Sequence, residues 1–441
     1  MSKIGLKIRW LSLDLHRFQR LTKEGGWILF GQIVSVLGAL VLVRVLTEYL
    51  DPAAYGELAL GLTIAGLVNQ VVTGGVTAGI GRFYSIAAEK GDLSGYLQAS
   101  RKLMGFAILA IGVIALALMA GLIWTNQTQW LSLTAAVLVF SVLTGLNSSL
   151  SGVQNAARQR SIVALHSGMD AWLNIGLAVG VMLWLGTSST AVVIGYVLSA
   201  LLVTASQLFF LRRLLQNRDR KHSNPGSENW VRQMWMFSWP MMAGGLFNWG
   251  YYASQRWALE LFATTEEVGK FYALTQIAYT PIILAGAMLM SLMVPILFAR
   301  VGDPENNYRL ISTHKVVSRI AVIGLLATAM MSVLIYFLHK TIFRIFVSSE
   351  YGDISCYMPL VVLSAGLLVV SHFFGVTVSA KNKTKLFLKR DIIGNLLIAL
   401  INLYSTSKWG FQGLITSMLI GAVIHLSWQI IIVKSALKES S

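Results

Sequence analysis

Twelve long apolar stretches, separated by short polar segments, follow one another along the sequence. A helix that crosses the hydrocarbon core of a membrane needs about 20 mostly apolar residues. The pattern therefore predicts twelve membrane-spanning helices, at residues 26–47, 56–80, 103–124, 131–153, 162–185, 190–211, 236–261, 268–298, 316–337, 355–378, 387–405 and 411–433. The composition agrees, because 12% of the 441 residues are charged, about half the usual share in a soluble domain.

The basic residues gather in alternate loops. The N-terminal segment, every second loop and the C-terminal segment together hold 29 of the 35 lysines and arginines. The intervening loops hold four, which are Lys270, Lys340, Arg344 and Lys408. Basic loops remain on the cytoplasmic side of a membrane. We therefore predict a multi-pass protein of the cytoplasmic (inner) membrane with both termini in the cytoplasm, and the net charge of +16 needs no nucleic acid to explain it.

A polar, basic loop between the sixth and seventh spans predicts two six-helix lobes. Residues 1–211 form the first lobe, 212–234 the cytoplasmic linker and 235–441 the second lobe. The halves also show weak internal similarity. Three pairs of segments match in the same order: 44–56 with 256–269, 82–96 with 300–308, and 170–174 with 391–395. Six spans per repeat is an even number, so both halves share one orientation, as in secondary transporters that bind substrate between parallel repeats.

Residues 44–56, Arg-Val-Leu-Thr-Glu-Tyr-Leu-Asp-Pro-Ala-Ala-Tyr-Gly, resemble the first-span signature of the polysaccharide biosynthesis or O-antigen flippase family. This family belongs to the multidrug/oligosaccharidyl-lipid/polysaccharide exporter superfamily. Residues 82–92, 391–395 and 410–413 resemble its first cytoplasmic loop and its helix 11–12 region. The resemblance implies an all-α, V-shaped integral membrane transporter that moves a polyprenyl-diphosphate-linked oligosaccharide from the inner to the outer leaflet, for assembly of surface polysaccharide such as the O-antigen of lipopolysaccharide or an exopolysaccharide. The partners it implies are that lipid-linked substrate, membrane lipids and polysaccharide polymerase or synthase proteins.

A charge inside a span costs about 2.5–3.5 kcal/mol on insertion scales, and two arginines lie within spans near their predicted outer ends. Arg44 and Arg256 each precede a glutamate by four residues, Glu48 and Glu260. In a structural interpretation, each arginine pairs with its own glutamate or extends to the outer interface. In a functional interpretation, it binds the substrate's diphosphate, because a guanidinium contacts two phosphate oxygens at once. Arg256 ranks above Arg44, since it shares a helical face with aromatic residues.

That face is a stripe of polar and aromatic residues along the seventh span. Such a stripe suits a wet cavity that stacks against sugars, although an aromatic belt at the outer interface has the same composition. Glutamines in the second and eighth spans either hydrogen-bond between helices or face the same cavity, which the family resemblance favours. The candidate substrate-binding residues are Arg256, Arg44, Asn248, Trp249, Tyr252, Gln255, Gln70 and Gln276.

Two carboxylates, Asp170 and Asp391, lie in the fifth and eleventh spans. Either is a candidate for coupling transport to protons or sodium. The alternative is that they cap helix starts or pair with nearby basic loops. The sequence contains no nucleotide-binding P-loop and no metal-binding motif, and Cys356 is its single cysteine. It therefore predicts no cofactor and no metal site.

Three functions fit these features. The first is the lipid-linked oligosaccharide flippase. The second is an ion-coupled multidrug antiporter of the same superfamily, which would need an acidic residue early in the first span, where the chain has no acid before Glu48. The third is a non-transporting membrane subunit of a polysaccharide synthase complex, which would lack a basic cleft between the lobes. An enzyme is not expected, because the loops predicted outside are short.

Overall fold

The computed structural model describes residues 2–216, 229–301, 307–380 and 385–438, and over these residues the chain is helical without β-strands. The all-α prediction is therefore confirmed. A π-helical segment, Val68–Thr73, and 3₁₀ segments at Thr128–Trp130 and Ser349–Tyr357 join some of the helices. The α-helices are α1 (Ser2–Tyr49), α2 (Pro52–Leu67), α3 (Gly74–Lys90), α4 (Leu93–Trp124), α5 (Leu131–Ala156), α6 (Arg160–Leu185), α7 (Ser189–Gln216), α8 (Trp230–Phe262), α9 (Thr265–Ala278), α10 (Thr280–Val301), α11 (Asn307–Phe346), α12 (Met358–Ala380) and α13 (Lys385–Lys438).

All twelve predicted spans fall on these helices. Among the described residues, 10 continuous helical stretches are long and apolar enough to cross a membrane. One of them, Asp391–Ser435, contains two predicted spans, because the chain reverses at Gly410 (φ 54°, ψ −137°). The one predicted span that is not among these stretches, 236–261, lies on α8, whose polar stripe lowers its hydropathy. The two arms of α13 pack closely, since a side chain on Gly413 would overlap the carbonyl oxygen of Ser405.

The second span of each half is interrupted part-way along its length. In the first half the π-helical segment separates α2 from α3, and in the second half α9 ends at Ala278 before α10 begins at Thr280. Pro281 accounts for the second interruption, because proline lacks the N–H that would continue the helix. A π-helical turn forms without proline, so no proline in the sequence reveals the first interruption.

The helices pack in two groups. In the first half, α1 packs on α6, α6 on α7, α7 on α5, and α5 on α2 and α3. In the second half, α8 packs on α13, α13 on α12, and α12 on α11 and α10. The predicted linker at 212–234 lies largely in the segment 217–228, outside the described residues. The lobe boundaries therefore stay a prediction, with which this packing is consistent.

The two halves meet along α2 and α9 and along α3 and α8. Gly56 and Gly269, the glycines that end the repeated arginine–glutamate–glycine segments, lie against each other. A side chain on Gly56 would overlap the carbonyl oxygen of Thr265, and one on Gly269 would overlap that of Pro52. Each glycine thus faces the residue four positions before the other. A pseudo-twofold axis between parallel repeats produces this reciprocal contact, which supports the duplication inferred from the sequence.

Candidate functional site

A cavity of about 210 Å³, here called the Arg256 cavity, lies between α8, α9 and α10. Four of the eight predicted substrate-binding residues line it: Tyr252, Gln255, Arg256 and Gln276. The first three come from one face of α8, as their spacing predicts, and Gln276 approaches from α9. The structure therefore brings half of the candidate set together in one place.

Arg256 bridges the two halves at the edge of this cavity. Its Nη1 donates a hydrogen bond to the backbone oxygen of Ala59 in α2 (3.0 Å), and its guanidinium carbon lies 4.4 Å from the ring centre of Tyr272, a cation–π contact. Glu260, the partner in the structural interpretation, instead accepts a hydrogen bond from Thr265 (3.1 Å). A guanidinium has five N–H donors, so most of those of Arg256 remain available to a ligand.

The two glutamines of the cavity differ in their hydrogen bonding. Gln276 is engaged, since its Nε2 donates to the hydroxyl of Tyr272 (3.0 Å) and its Oε1 accepts from Thr280 (2.8 Å). The Nε2 of Gln255 is buried and has no hydrogen-bond partner among the described residues. An unsatisfied buried amide costs about 1–3 kcal/mol. Gln255 therefore places an unsatisfied donor in the wall of the cavity.

A second cavity of about 190 Å³, the Asp391 cavity, lies between α8, α12 and α13. Asn248, Asp391, His372 and His425 are among its lining residues, and Tyr252 lines both cavities, which therefore adjoin. Asp391 lies six residues after the start of α13, so it does not cap that helix. Over the described ranges, no cluster of His, Cys, Asp and Glu suited to a metal ion is present.

Gln70, Asn248 and Trp249 lie where α8 meets the first half. Asn248 Nδ2 donates to Oε1 of Gln70 (2.8 Å), and the indole Nε1 of Trp249 donates to the backbone oxygen of Thr63 (2.7 Å). Trp249 therefore hydrogen-bonds across the interface between the halves, as a belt residue facing the headgroups would not. These three residues join the halves beside the two cavities.

Arg44 lies apart from the Arg256 cavity. It forms an ion pair with Glu48 (2.9 Å), and its Nη1 donates to the backbone oxygen of Val347 at the end of α11 (2.6 Å). This is the pairing that the structural interpretation describes. Arg44 lines a separate pocket at the end of α1, with residues of α11.

Asp170 also lies apart from both cavities, on α6 of the first half. Asn174 donates to its Oδ2 at 3.4 Å. Because α6 begins at Arg160, ten residues earlier, Asp170 cannot cap the helix start. The two candidate ion-coupling carboxylates thus lie in different halves, and only Asp391 adjoins the candidate substrate residues.

An apolar groove of about 440 Å³ runs between α3, α4 and α8. Phe106, Ala110, Trp235 and Met242 line its length, and Arg232 lies at its end nearest the start of α8. Along α8 the lining extends from Val231 to Met242, a rise of about 17 Å. The groove is therefore as long as a lipid chain within one leaflet.

Sequence reasoning missed two features of these sites. The first is the cation–π contact between Arg256 and Tyr272. The spacing of Tyr272 and Gln276 shows that they share a helical face, but the contact with Arg256 depends on how α8 packs against α9. His372 and His425 come to Asp391 from α12 and the second arm of α13. Their convergence depends on three-helix packing, which spacing along one helix does not reveal.

The solved structures that share this fold include a lipid flippase and two transporters. The lipid II flippase MurJ in an inward-closed conformation has a TM-score of 0.69 and 14% identity, with 94% of this chain and 87% of that chain covered. A mutant of the MATE transporter VcmN from Vibrio cholerae has a TM-score of 0.59 and 15% identity, covering 96% and 97% of the two chains. A MOP superfamily transporter from Pyrococcus furiosus has a TM-score of 0.59 and 14% identity, covering 95% and 96%.

The chain therefore has the V-shaped, twelve-helix fold of these transporters, as the sequence resemblance implied. The sequence profile of the polysaccharide biosynthesis protein family matches residues 21–300, which is more than half of the chain. The protein belongs to this family. No curated protein sequence matches it.

Proposed function

We propose that the protein is a flippase that moves a polyprenyl-diphosphate-linked oligosaccharide from the inner to the outer leaflet of the cytoplasmic membrane by alternating access, for assembly of surface polysaccharide. The observation that carries this proposal is the position of Arg256. It lies between the two halves, lines a cavity that also contains polar side chains, and has no ion pair with Glu260 among the described residues.

The chemistry of the substrate requires such a cation. A diphosphate that leaves water without a partner is prohibitively unstable, and a guanidinium can meet it with two parallel hydrogen bonds. Tyr252 and Gln255 line the same cavity and suit the stacking and hydrogen bonding of sugars. Residues of the Arg256 cavity therefore suit the diphosphate and the sugars of the proposed substrate.

The membrane potential can assist this movement without nucleotide hydrolysis. Moving one charge across 100 mV changes the free energy by about 2.3 kcal/mol. A diphosphate carrying about two negative charges would therefore gain about 4–5 kcal/mol per 100 mV on leaving a negative cytoplasm. The gain falls if Arg256 moves with it.

The lipid chain of the substrate needs an apolar surface beside the protein. The groove between α3, α4 and α8 has apolar walls and Arg232 at its end, and the predicted orientation places that end at the cytoplasmic surface. An isoprenoid chain fits its length, with the diphosphate near Arg232. At its deep end Met242 contacts Gly75, where α8 meets the first half.

An ion-coupled multidrug antiporter is the second candidate, and the structural similarity to MATE transporters favours it. The Asp391 cavity would then hold the exchanged ion, with Asp391 as its carboxylate. Arg256 argues against cationic drugs as cargo, because like charges repel. In the flippase, we propose that Asp391 couples transport to protons or sodium.

The experiment that tests the proposal is inactivation of the gene, followed by identification of the lipids that accumulate. The flippase predicts that a polyprenyl-diphosphate-linked glycan builds up in the inner leaflet and that surface polysaccharide is lost. Normal surface polysaccharide together with increased sensitivity to cationic drugs would establish the antiporter instead.

A further inference from the structure

A pocket of about 400 Å³, here called the outer pocket, lies at the ends of α1 and α11 on the face predicted to be outside. Arg44 and Glu48 of α1 line one wall, and Lys340 and Arg344 of α11 line another. The 3₁₀ segment Ser349–Tyr357 contributes the third wall. The intervening loops hold only four basic residues in all, so two of the four converge here.

The charges in the outer pocket are unbalanced. Arg44, Lys340 and Arg344 supply three positive charges, and Glu48 supplies one negative charge that is already paired with Arg44. Neither Lys340 nor Arg344 has an ion-pair or hydrogen-bond partner among the described residues. A pocket with two such cations attracts an anion of about two charges, and arginine favours phosphate through paired hydrogen bonds.

We propose that the outer pocket binds a phosphate-bearing headgroup on the outer face and that this binding favours the state in which the outer ends of the lobes are closed. The headgroup belongs either to the delivered diphosphate-linked lipid or to an anionic phospholipid of the outer leaflet. Only the first of these sources rests on the proposed function. The Arg256 cavity is a different site, lined by different residues.

The link to closure follows from the two walls. Arg44 donates to the backbone of Val347, and the backbone N–H of Ser348 donates to Oγ1 of Thr47 (3.1 Å). These bonds join α1 to the end of α11 beside the pocket. The pocket is complete only when both walls are together. A ligand that contacts both walls therefore binds the closed state more tightly and shifts the population toward it.

Cys356 provides the probe for this test. It is the only cysteine in the sequence, it is exposed, and it follows Ser355 of the pocket wall. An environment-sensitive fluorophore on Cys356 of the full-length protein, in phosphatidylcholine nanodiscs, is titrated with inorganic diphosphate. The expected result is a saturable change. The double variant Lys340→Gln/Arg344→Gln should weaken the affinity at least about tenfold, because it removes both unpaired cations.

The matched control is Lys408→Gln, which removes an exposed lysine from the same predicted face but outside the pocket. Lys340→Gln should weaken binding clearly more than Lys408→Gln, whose effect should stay within about twofold because salt screens distant charges. Thermal unfolding checks that each variant is folded. The proposal is overturned if wild type gives no saturable signal or if the double variant binds as wild type does.

Closure is tested with a disulfide across the two walls. In a Cys356→Ser background, the pair Thr47→Cys/Ser348→Cys reports how often the outer ends meet. Diphosphate should speed formation of this disulfide, and slower formation would overturn the link to closure.

The source of the headgroup is tested by repeating the titration in nanodiscs that contain phosphatidylglycerol. A loss of diphosphate affinity that is larger in wild type than in the double variant identifies the phospholipid as the resident ligand. An equal change in both assigns the pocket to the diphosphate-linked lipid. Neither arm measures transport, so failure of the outer pocket and failure of the flippase function are distinguishable.

Discussion

Replacing Arg256 with alanine should abolish export of the lipid-linked glycan while the protein remains abundant in the membrane. The substitution removes the guanidinium that lines the Arg256 cavity. A hydrogen bond that involves a charged group contributes about 1.5–3 kcal/mol. A bidentate contact to the diphosphate therefore contributes about 3–6 kcal/mol, so its loss weakens binding by about 10² to 10⁴-fold.

The cost to folding should be smaller. Arg256→Ala loses the hydrogen bond to Ala59 and the contact with Tyr272, but it also removes a charge from a partly buried position. In this variant Glu260 keeps its hydrogen-bond partner, because that partner is Thr265 and not Arg256. Protein abundance should therefore stay near normal, and adding Glu260→Gln should not restore export.

Surface polysaccharide and membrane abundance are measured together in a strain that lacks the native gene. Lysine at position 256 should rescue export only in part, because it keeps the positive charge but lacks the planar guanidinium that forms two parallel hydrogen bonds. Arg300→Ala is the matched control, since Arg300 is exposed and hydrogen-bonds to Ser312 outside the cavity. Full export by Arg256→Ala at normal abundance would refute the role. Low abundance restored by Glu260→Gln would instead show an ion pair with a structural role.

Three further predictions follow from the fold. Reporter tags at the N-terminus, near residue 224 and at the C-terminus should all report cytoplasm, and a periplasmic signal from the central tag would contradict the six-plus-six arrangement. Gly269→Leu should destabilise the closed state by about 1–3 kcal/mol, because the new side chain would overlap the carbonyl oxygen of Pro52. The Thr47→Cys/Ser348→Cys disulfide should then form more slowly. Gly121→Leu is the control, since Gly121 has open space around it, and it should leave the rate of disulfide formation unchanged. Spin-label distances in two transport states should differ most within the seventh and eighth spans, where Pro240 and Pro281 free backbone hydrogen bonds, and movement of the lobes as rigid bodies would count against this.

The sequence predicted most of the fold because membrane helices are marked by local properties. Length, apolarity and basic loops each act over a single span, so all twelve spans were located, including α8 with its charges. The irregular features were harder. Pro281 marks the interruption between α9 and α10, but the π-helical segment Val68–Thr73 contains no proline to mark it.

The candidate site could be predicted only where its residues share one helix. Tyr252, Gln255 and Arg256 were placed on one face of α8 by spacing alone, and the structure gathers them around one cavity. Spacing could not show that Arg44 pairs with Glu48 while Arg256 reaches Ala59. Both arginines have a glutamate four residues later, and the difference depends on which helix of the other half lies within reach.

The central claim is most directly tested by flipping in a purified system. The protein is reconstituted into liposomes with a fluorescent polyprenyl-diphosphate oligosaccharide in one leaflet, and its arrival in the opposite leaflet is followed with a membrane-impermeant quencher. Wild-type protein should transfer the lipid, Arg300→Ala should do so equally, and Arg256→Ala should not exceed protein-free liposomes. Transfer by Arg256→Ala at the wild-type rate, or no transfer by wild type with a membrane potential imposed, would contradict the account.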